Sequence, residues 1–403
     1  MATDPSADLV EAAKAAVLAD IDRRAGELIE ASRAIHARPE LAFEEHHAHD
    51  LLTSMLTDAG LDTERGAFGL TTAFQATAGT SGPVVGIMCE YDALPEIGHA
   101  CGHNIIATAG LGAGLAAAVI ADQFGGQVRI LGTPAEEGGG GKVMMAERGA
   151  FDGLDAAMMV HPAGADLTAM NCVAIQQLNI EYLGEAAHAA AAPHLGRNAL
   201  DAAVLGYMNV AALRQHIRSN ERIHGIFTHG GDKPNIVPKY ASQFWYIRSG
   251  TMASLQPLKD RVLTALQAGA MASGCSCQHT WDQYPYSDML DNGPLVDAYA
   301  ANADRLGRLV KVPGDVNKVV GSTDMGNVSY LVPSIHPLIK VSPAHVAIHT
   351  PEFERYAGGV DGDKAVIDGA KAMAMTVVDI WLSATLREKA HDEYLIALSE
   401  AGA

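Results

Sequence analysis

Apolar residues along the chain form short continuous runs separated by longer amphipathic stretches. The continuous runs predict strands buried on both faces, at 84–89, 127–132 and 155–160, with a further core strand at 338–341. The stretches around them predict helices at 7–36, 105–124, 295–309 and 363–386. Strands that alternate with helices in this way are typical of an open α/β sheet. We therefore expect a doubly wound, mostly parallel α/β domain.

The pattern changes at about Ala174, where residues 174–183 alternate between apolar and polar like a half-exposed strand. The segments that follow are a helix at 197–217, strands at 222–229 and 240–249, a helix at 254–272 and a strand at 275–283. This β-α-β-β-α-β order is that of a ferredoxin-like α+β domain. Because the helical pattern resumes at Leu295, we expect residues 174–286 to be inserted into a domain formed by 1–173 and 287–403.

Composition and charge restrict the class of protein. Of the 403 residues, 48% are hydrophobic and 19% are charged, as in soluble globular proteins. The net charge of −19 disfavours nucleic acid and anionic membranes as partners, since both bind clustered Lys and Arg. Met1–Asp20 lacks the pattern of a secretory signal, and the five cysteines have no framework spacing. We expect a cytoplasmic protein with reduced thiols and no membrane partner.

Residues with metal-binding side chains follow the ends of the predicted strands. They are Asp92, Cys101, His103, Glu136, Glu137 and His161. The carboxyl ends of parallel strands meet at one edge of a sheet, so these side chains are expected to converge there. In the motif HACGHN, Gly102 permits a tight backbone between Cys101 and His103. Thiolate, imidazole and carboxylate together predict a site for a divalent cation such as zinc.

Three other motifs have simpler explanations. The polar stretch HARPELAFEEHHAHD contains His46 and His49, and we interpret it as a solvated helix face. The motif GLGAG, residues 110–114, lies inside a predicted helix and indicates close helix packing, not dinucleotide binding. The glycine-rich run before Lys142 lacks the Ser or Thr of a phosphate loop, because Val143 stands there.

The motif order YDALP, HACGHN, EEGGGG, HP, HAAAAP, NIVP, STDMGNVS and HTPEF resembles the aminoacylase and carboxypeptidase family of dinuclear metallopeptidases. Within that family it resembles the amidohydrolase branch, which contains p-aminobenzoyl-glutamate hydrolases and aminoacylase-like dipeptidases. The resemblance extends from about His36 to Phe353. Each motif is short, but their combined order is specific. The resemblance implies a metal-dependent hydrolase of the amide bond in an N-acyl or aroyl amino acid or a small dipeptide.

The resemblance also implies roles for individual residues. The implied metal ligands are Cys101, His103, Glu137, His161 and His349. They would hold two divalent ions per subunit, Zn²⁺ first and Mn²⁺ or Co²⁺ as alternatives, which lower the pKa of a water between them. Glu136 corresponds to the general base, and Asp92 to the acid that orients the metal site. Glu90 stands where other branches have a histidine ligand, and we leave it out of the ligand set.

In the inserted domain, the resemblance implies that His188 crosses a homodimer interface to stabilise the oxyanion of the partner subunit's reaction. It also implies that Asn235 and Arg248 hold the carboxylate of the substrate's amino-acid half. Without the resemblance, the sequence favours a simpler role for His188, as a histidine that closes the strand at 179–183. For Arg248, the chemistry alone fits an ordinary surface residue equally well.

Two other functions are consistent with parts of the sequence. One is a metal-binding scaffold without catalysis, but a structural metal site needs no spare base such as Glu136. The other is a cysteine hydrolase with Cys101 as nucleophile and His103 as its base. In that enzyme the acids at 136 and 137 would have no role.

Overall fold

The computed structural model describes residues 5–282, 284–314 and 319–402. Residue 283, the last of the strand predicted at 275–283, lies outside the described residues. The chain divides into two compact units. The first unit combines Met1–Asn171 with Met289–Ala401, and the second is Cys172–Asp288.

Helices and strands alternate along the first part of the chain. In order they are α1 (Ala7–Ala37), α2 (His46–Asp58), β1 (Thr63–Arg65), β2 (Phe74–Ala78), β3 (Val84–Cys89), α3 (His103–Phe124), β4 (Gln127–Gly132), α4 (Gly141–Ala146), β5 (Ala156–Met158), β6 (His161–Ala163) and β7 (Asn171–Cys172). A 3₁₀ turn lies at Ala67–Gly69.

The second unit and the rest of the first unit follow. The second unit contains β8 (Ala174–Leu183), α5 (Ala199–Leu213), β9 (Arg222–His229), β10 (Tyr240–Ser249), α6 (Met252–Ala272) and β11 (Ser276–Trp281), with 3₁₀ turns at Pro193–Leu195 and Arg214–His216. The chain then forms α7 (Gly293–Asp304), β12 (Val320–Gly321), α8 (Met325–Ser329), β13 (Ser334–Ile335), β14 (Leu338–Lys340), α9 (Pro351–Ala357), α10 (Val360–Leu382) and α11 (Ala384–Ala401).

The main sheet of the first unit is mostly parallel, as predicted. Its strand order is β1-β2-β4-β3-β5-β13. Strands β4, β3, β5 and β13 run parallel, while β1 and β2 form an antiparallel edge. The strands predicted at 84–89 and 127–132 are confirmed at both ends. The one predicted at 155–160 is shorter, because the chain leaves this sheet and His161 begins β6, which pairs with β14.

Side chains alternate between the two faces of this sheet, and both faces are covered. In β3, Ile87 packs into a core with α1, α3 and α10, whereas Met88 packs into a second core with Met145 and Met325, which belong to α4 and α8. Strands buried on both faces read as continuous apolar runs, which is why the sequence pattern located them.

Helix α3 lies at the centre of the first core. It is the one described helix long and apolar enough to cross a membrane, but 89% of its most apolar window is buried inside the protein. A Cβ added at Gly110 would lie 2.6 Å from Met88 O, and one at Gly112 would lie 2.8 Å from Leu28 Cδ1. One at Gly114 would lie 2.4 Å from Ile130 Cγ1. The close helix packing predicted for this motif is confirmed.

The polar stretch that contains α2 is only partly a solvated face. His46 is exposed, as predicted, and no group of metal-binding side chains found in the described ranges includes His46 or His49. The prediction is wrong for His49, which is 6% exposed and packs its ring 6.1 Å from that of Phe74. It is also wrong for Glu45, which is fully buried. His49 lies one turn before Leu52, through which α2 packs into the core, and Glu45 directly precedes the helix.

The second unit has the predicted β-α-β-β-α-β order. Its strands form an antiparallel sheet in the order β11-β8-β10-β9, and α5 and α6 pack on each other and on the sheet. In β10, Trp245 and Ile247 enter the core of this unit. The helix predicted at 197–217 ends at Leu213 and continues as a 3₁₀ turn. In the first unit, the helix predicted at 363–386 is two helices separated at Ser383.

We predict that Gly110→Ala destabilises the protein by about 1–3 kcal/mol, because the added methyl group overlaps Met88 O and Cys89 Sγ. The matched control is Gly26→Ala in α1, where an added Cβ meets nothing within 4 Å. That substitution should stabilise the protein by about 0.5–1 kcal/mol, since alanine favours a helix over glycine. Urea unfolding measures both, and equal effects at the two positions would contradict the packing assigned to α3.

Candidate metal centre

The loop HACGHN connects the region after β3 to the start of α3. Gly102 precedes α3 with a φ of +82°, and a Cβ at this position would lie 2.5 Å from Pro162 Cγ. The tight backbone predicted between Cys101 and His103 is therefore present. It buries both side chains, and His103 is the first residue of the helix.

The thiol of Cys101 lies between two histidines. Cys101 Sγ is 3.3 Å from His161 Nε2 and 3.3 Å from His349 Nε2. His349 Nε2 is also 3.3 Å from Glu137 Oε1. His161 Nδ1 lies 2.8 Å from Pro162 O, to which it donates, so the lone pair of Nε2 is directed at the thiol. Four of the five implied ligands thus meet at one place.

The carboxylate of Asp92 connects the fifth implied ligand to this group. Asp92 Oδ1 is 3.1 Å from His103 Nδ1, and Asp92 Oδ2 accepts a hydrogen bond of 2.9 Å from the backbone N–H of Glu137. Although burial raises the pKa of Asp92, its hydrogen bond to His103 holds that pKa below the usual value. An ionised Asp92 therefore orients two of the candidate ligands at once.

The remaining nitrogen of His103 is the clearest sign of a cation site. Among the described residues, His103 Nε2 is buried and makes no hydrogen bond. Carboxylate oxygens of Glu90, Glu137 and Glu136 lie 3.7, 3.8 and 3.9 Å from it, too far for hydrogen bonds. Ligands bind zinc at about 2.0–2.2 Å, so two ligands of one ion are separated by about 3–4 Å. The donor set fits divalent cations.

The electrostatics of the two adjacent acids differ. Burial raises the pKa of Glu136 well above its usual value, and Glu90 and Glu137 raise it further. Burial also raises the pKa of Glu137, but His349 and His103 more than offset that effect and hold it below the usual value. The two neighbouring carboxylates therefore differ, since that of Glu137 ionises more readily than a free one and that of Glu136 less readily.

Lys142 was not assigned to the site from the sequence, yet it belongs there. Its side chain is fully buried, and its ammonium forms ion pairs with Glu90 and, at 2.7 Å, with Asp324 Oδ1. Burial lowers the pKa of Lys142, but Asp324 and Glu90 raise it above the usual value. The sequence feature that could have indicated this is the position of Lys142, directly after the glycine run that follows Glu137.

Glu45 also supports the site without having given a sequence signal. Its Oε1 accepts a hydrogen bond of 2.9 Å from the backbone N–H of Ala135, and its Oε2 accepts one of 2.7 Å from the hydroxyl of Thr72. Ala135 has a φ of +59°, which is uncommon for a residue with a side chain, and it directly precedes Glu136. The carboxylate therefore stabilises the turn that presents Glu136.

The other three predicted site residues lie in the second unit. His188 is exposed, and its Nδ1 accepts hydrogen bonds from the backbone N–H groups of Ala190 and Ala191, at 3.3 and 3.1 Å. This arrangement leaves the ring proton on Nε2, where it can be donated. His188 pairs with Ile236 in a β-bridge, next to Asn235. Arg248 lies eight residues beyond Tyr240 on β10, about 26 Å further along the strand.

Comparison with known proteins shows the family. The peptidase family M20/M25/M40 matches residues 86–379. The chain belongs to this family. It is 40% identical over 395 residues to the Xaa-Arg dipeptidase of Mus musculus, covering 94% of this chain and 91% of that protein. It is 29% identical over 429 residues to one of the p-aminobenzoyl-glutamate hydrolase subunits of Escherichia coli (strain K12), covering 88% and 89%.

A solved structure supports the fold of this M20 protein. A dinuclear metal-binding peptidase of the M20 family from Bacillus subtilis matches it with a TM-score of 0.69 and 19% identity. The match covers 89% of this chain and 99% of that one. With its family and relatives established, this M20 protein is a metal-dependent amide hydrolase, as the resemblance implied. The relatives are named as a dipeptidase and a hydrolase subunit, which argues against the alternative of a metal-binding scaffold without catalysis.

The cysteine-hydrolase alternative conflicts with the environment of Cys101. Burial raises the pKa of its thiol well above the usual value, and the carboxylate of Glu137 raises it further. A nucleophilic cysteine needs a lowered pKa, so that the thiolate forms near neutral pH. A bound cation, in contrast, stabilises a buried thiolate directly. The site of this M20 peptidase therefore favours Cys101 as a ligand.

We predict that Cys101→Ala lowers metal content and activity together, because it removes a charged ligand. Metal affinity should fall by more than the roughly 10–100-fold that loss of an outer-shell partner costs. Cys275→Ala is the matched control, since that free cysteine lies in the second unit. Metal analysis after dialysis and an activity assay measure the effect, and unchanged metal stoichiometry with full activity in Cys101→Ala would refute the ligand assignment.

Proposed function

We propose that this M20-family enzyme cleaves the amide bond of a small substrate, a dipeptide or an N-acyl or aroyl amino acid. Two divalent ions would be held by Cys101, His103, Glu137, His161 and His349. The observation that carries the proposal is the buried His103 Nε2, which lacks a hydrogen bond and faces carboxylate oxygens at 3.7–3.9 Å. Such cations polarise a carbonyl group and lower the pKa of water toward neutrality.

Glu136 is the residue that we propose moves the proton. It lies beside the ligand Glu137 and within 3.9 Å of His103 Nε2, and its buried carboxylate has a raised pKa. A base of raised pKa takes a proton from the attacking water more readily and can pass it to the leaving nitrogen. A site that only binds metal would not need this carboxylate.

We predict that Glu136→Gln retains metal but loses at least ~10²-fold in kcat, since the amide preserves the shape of the side chain and cannot accept the proton. Glu44→Gln is the control, because Glu44 is exposed. The measurement combines kcat with metal stoichiometry. Loss of metal in Glu136→Gln would show instead that Glu136 is a ligand and that its role and that of Glu137 are exchanged.

Zinc is the metal that we propose, with Mn²⁺ or Co²⁺ as alternatives. A thiolate ligand favours zinc over the hard cations Mg²⁺ and Ca²⁺, and imidazole suits zinc as well. The thiol at position 101 must also stay reduced, and the described structure pairs none of the five cysteines in a disulfide. A reducing compartment meets that requirement, so we propose that the enzyme is cytoplasmic.

For the substrate, two candidates follow from the relatives. The 40% identity to a protein named Xaa-Arg dipeptidase favours a dipeptide, and we propose that class first. The 29% identity to a p-aminobenzoyl-glutamate hydrolase subunit supports an aroyl amino acid as the second candidate. A panel of dipeptides, N-acyl amino acids and p-aminobenzoyl-glutamate, ranked by kcat/KM, distinguishes them. In both classes the released amine carries a free carboxylate, for which Arg248 and Asn235 are the proposed partners.

We predict that amidation of that carboxylate reduces kcat/KM more in the wild-type enzyme than in Arg248→Ala. The reason is that the guanidinium grips a carboxylate through two charge-assisted hydrogen bonds, which an amide cannot reproduce. The measurement is kcat/KM for the free and amidated forms of one substrate with both enzymes. An equal reduction in the two enzymes would make Arg248 an ordinary residue of the sheet surface.

The geometry of the second unit bears on how these residues act. His188 and Asn235 are neighbours, since the backbone N–H of Ala189 donates to Asn235 O at 3.0 Å. Asn235 lies five residues before Tyr240, where β10 begins. Arg248 lies near the other end of β10, about 26 Å from Tyr240. One copy of the unit therefore does not bring all three to one small substrate. We propose a homodimer through the second unit, in which His188 and Asn235 serve the partner subunit's metal centre.

We predict that mixing Glu136→Ala subunits with His188→Ala subunits restores activity, although each homodimer is inactive. If His188 acts across the interface, one site of the hybrid has both an intact base and an intact histidine donor, which stabilises the oxyanion. Asn235→Ala should complement Glu136→Ala in the same way. The measurement is the activity of isolated hybrid dimers, and hybrids that form without recovering activity would refute action across the interface.

A further inference from the structure

Three glutamates stand at nearly equal distances from the unsatisfied nitrogen of His103. The distances from His103 Nε2 are 3.7 Å to Glu90, 3.8 Å to Glu137 and 3.9 Å to Glu136. Glu90 is fully buried, and its carboxylate is as well placed as that of Glu137 to share an ion with His103. Distance alone therefore does not separate the proposed ligand from Glu90.

The contacts of the two carboxylates do separate them. Glu137 is held by His349 at 3.3 Å, so its nearest partner is another candidate ligand. Glu90 instead forms an ion pair with the ammonium of Lys142. The side chains of this pair are 1% and 0% exposed, so water does not screen their interaction.

The ammonium of Lys142 is itself fixed in position. Asp324 Oδ1 accepts a hydrogen bond of 2.7 Å from Lys142 Nζ, and Asp324 Oδ2 accepts one of 2.9 Å from the backbone N–H of the same lysine. One carboxylate thus anchors both ends of Lys142. Lys142 contacts Glu90 Oε1, whereas Glu90 Oε2 is the oxygen that faces His103 Nε2. A cation at Oε2 would share one buried carboxylate with the ammonium, and repulsion between two positive charges is strong where water does not screen it.

We propose that Lys142 is a built-in cation that keeps Glu90 out of the coordination of the metal ions. The inference rests on the proposed metal centre and concerns which carboxylates that centre uses. Lys142 is a positioning residue in this assignment, since it acts through Glu90. It leaves Glu137 as the carboxylate ligand on this side of His103, and it limits the negative charge that the ions experience.

A consequence is that loss of Lys142 should convert Glu90 into a ligand. Lys142→Leu removes the ammonium and introduces no ligand atom, so the carboxylate of Glu90 becomes available 3.7 Å from His103 Nε2. The ions then gain an anionic ligand. We expect the cobalt-substituted variant to show shifted and weaker visible absorption bands, as a higher coordination number produces, and to lose cobalt to a chelator at least ~10-fold less readily than the wild type.

The experiment compares cobalt-substituted wild type, Lys142→Leu, Glu90→Gln and the double variant, by visible absorption and by competition with a chelator. Glu90→Gln should have the spectrum of the wild type, because Glu90 is not a ligand there. The double variant should return to that spectrum, because the new ligand is absent. Lys364→Leu is the matched control, as the side chain of that lysine is 60% exposed where it pairs with Asp368, and its loss should change nothing.

Each outcome decides the inference. A changed spectrum in Glu90→Gln overturns it, since Glu90 would then be a native ligand, and this arm decides the matter even if Lys142→Leu does not fold. A wild-type spectrum in folded Lys142→Leu, or a double variant that fails to revert, also overturns it. Cys101→Ala separates this inference from the metal centre itself. If Cys101→Ala leaves the cobalt spectrum unchanged, the metal centre is misassigned.

Discussion

The two hydrogen bonds of Asp92 connect the parts of the metal centre, and the rest of the site depends on them. One oxygen fixes the ring of His103 and the other fixes the backbone of Glu137, at 3.1 and 2.9 Å. These residues come from different connections, one entering α3 and one following β4. Because the parallel strands β3 and β4 end side by side, a single carboxylate can reach both. The sheet thereby brings distant sequence positions into one site without a long loop.

An excess of buried acid is the second constraint on this centre. Glu90, Asp92, Glu136 and Asp324 are all buried, and Lys142 is the lysine that pairs with two of them. Carboxylates are rarely buried unless paired, because their desolvation is unfavourable. The described side chains therefore leave negative charge that cations would neutralise. The same reasoning supports the role that we propose for Lys142, whose ammonium already neutralises part of this charge through Glu90 and Asp324.

Much of this fold and site could be predicted from the sequence, for identifiable reasons. Strands buried on both faces read as apolar runs, so 84–89 and 127–132 were located to the residue, and the residues after them fell at the sheet edge. His49 and Glu45 were misjudged because their burial depends on which side of α2 packs, and a polar stretch does not show that. Lys142 was overlooked because its partner Asp324 lies 182 residues away in the chain.

The two adjacent glutamates show how position in the fold, not residue type, divides the chemistry. Glu137 has its backbone held by Asp92 and its side chain beside His349, which together favour an ionised ligand. Glu136 is one residue away, but its pKa is raised by burial and by the neighbouring acids. Ala135, directly before both glutamates, has a φ of +59°, and Glu45 Oε1 accepts a hydrogen bond from its backbone N–H. Ala135, the residue with the uncommon φ, thus lies directly before the two glutamates to which the proposed mechanism gives the roles of acid–base group and ligand.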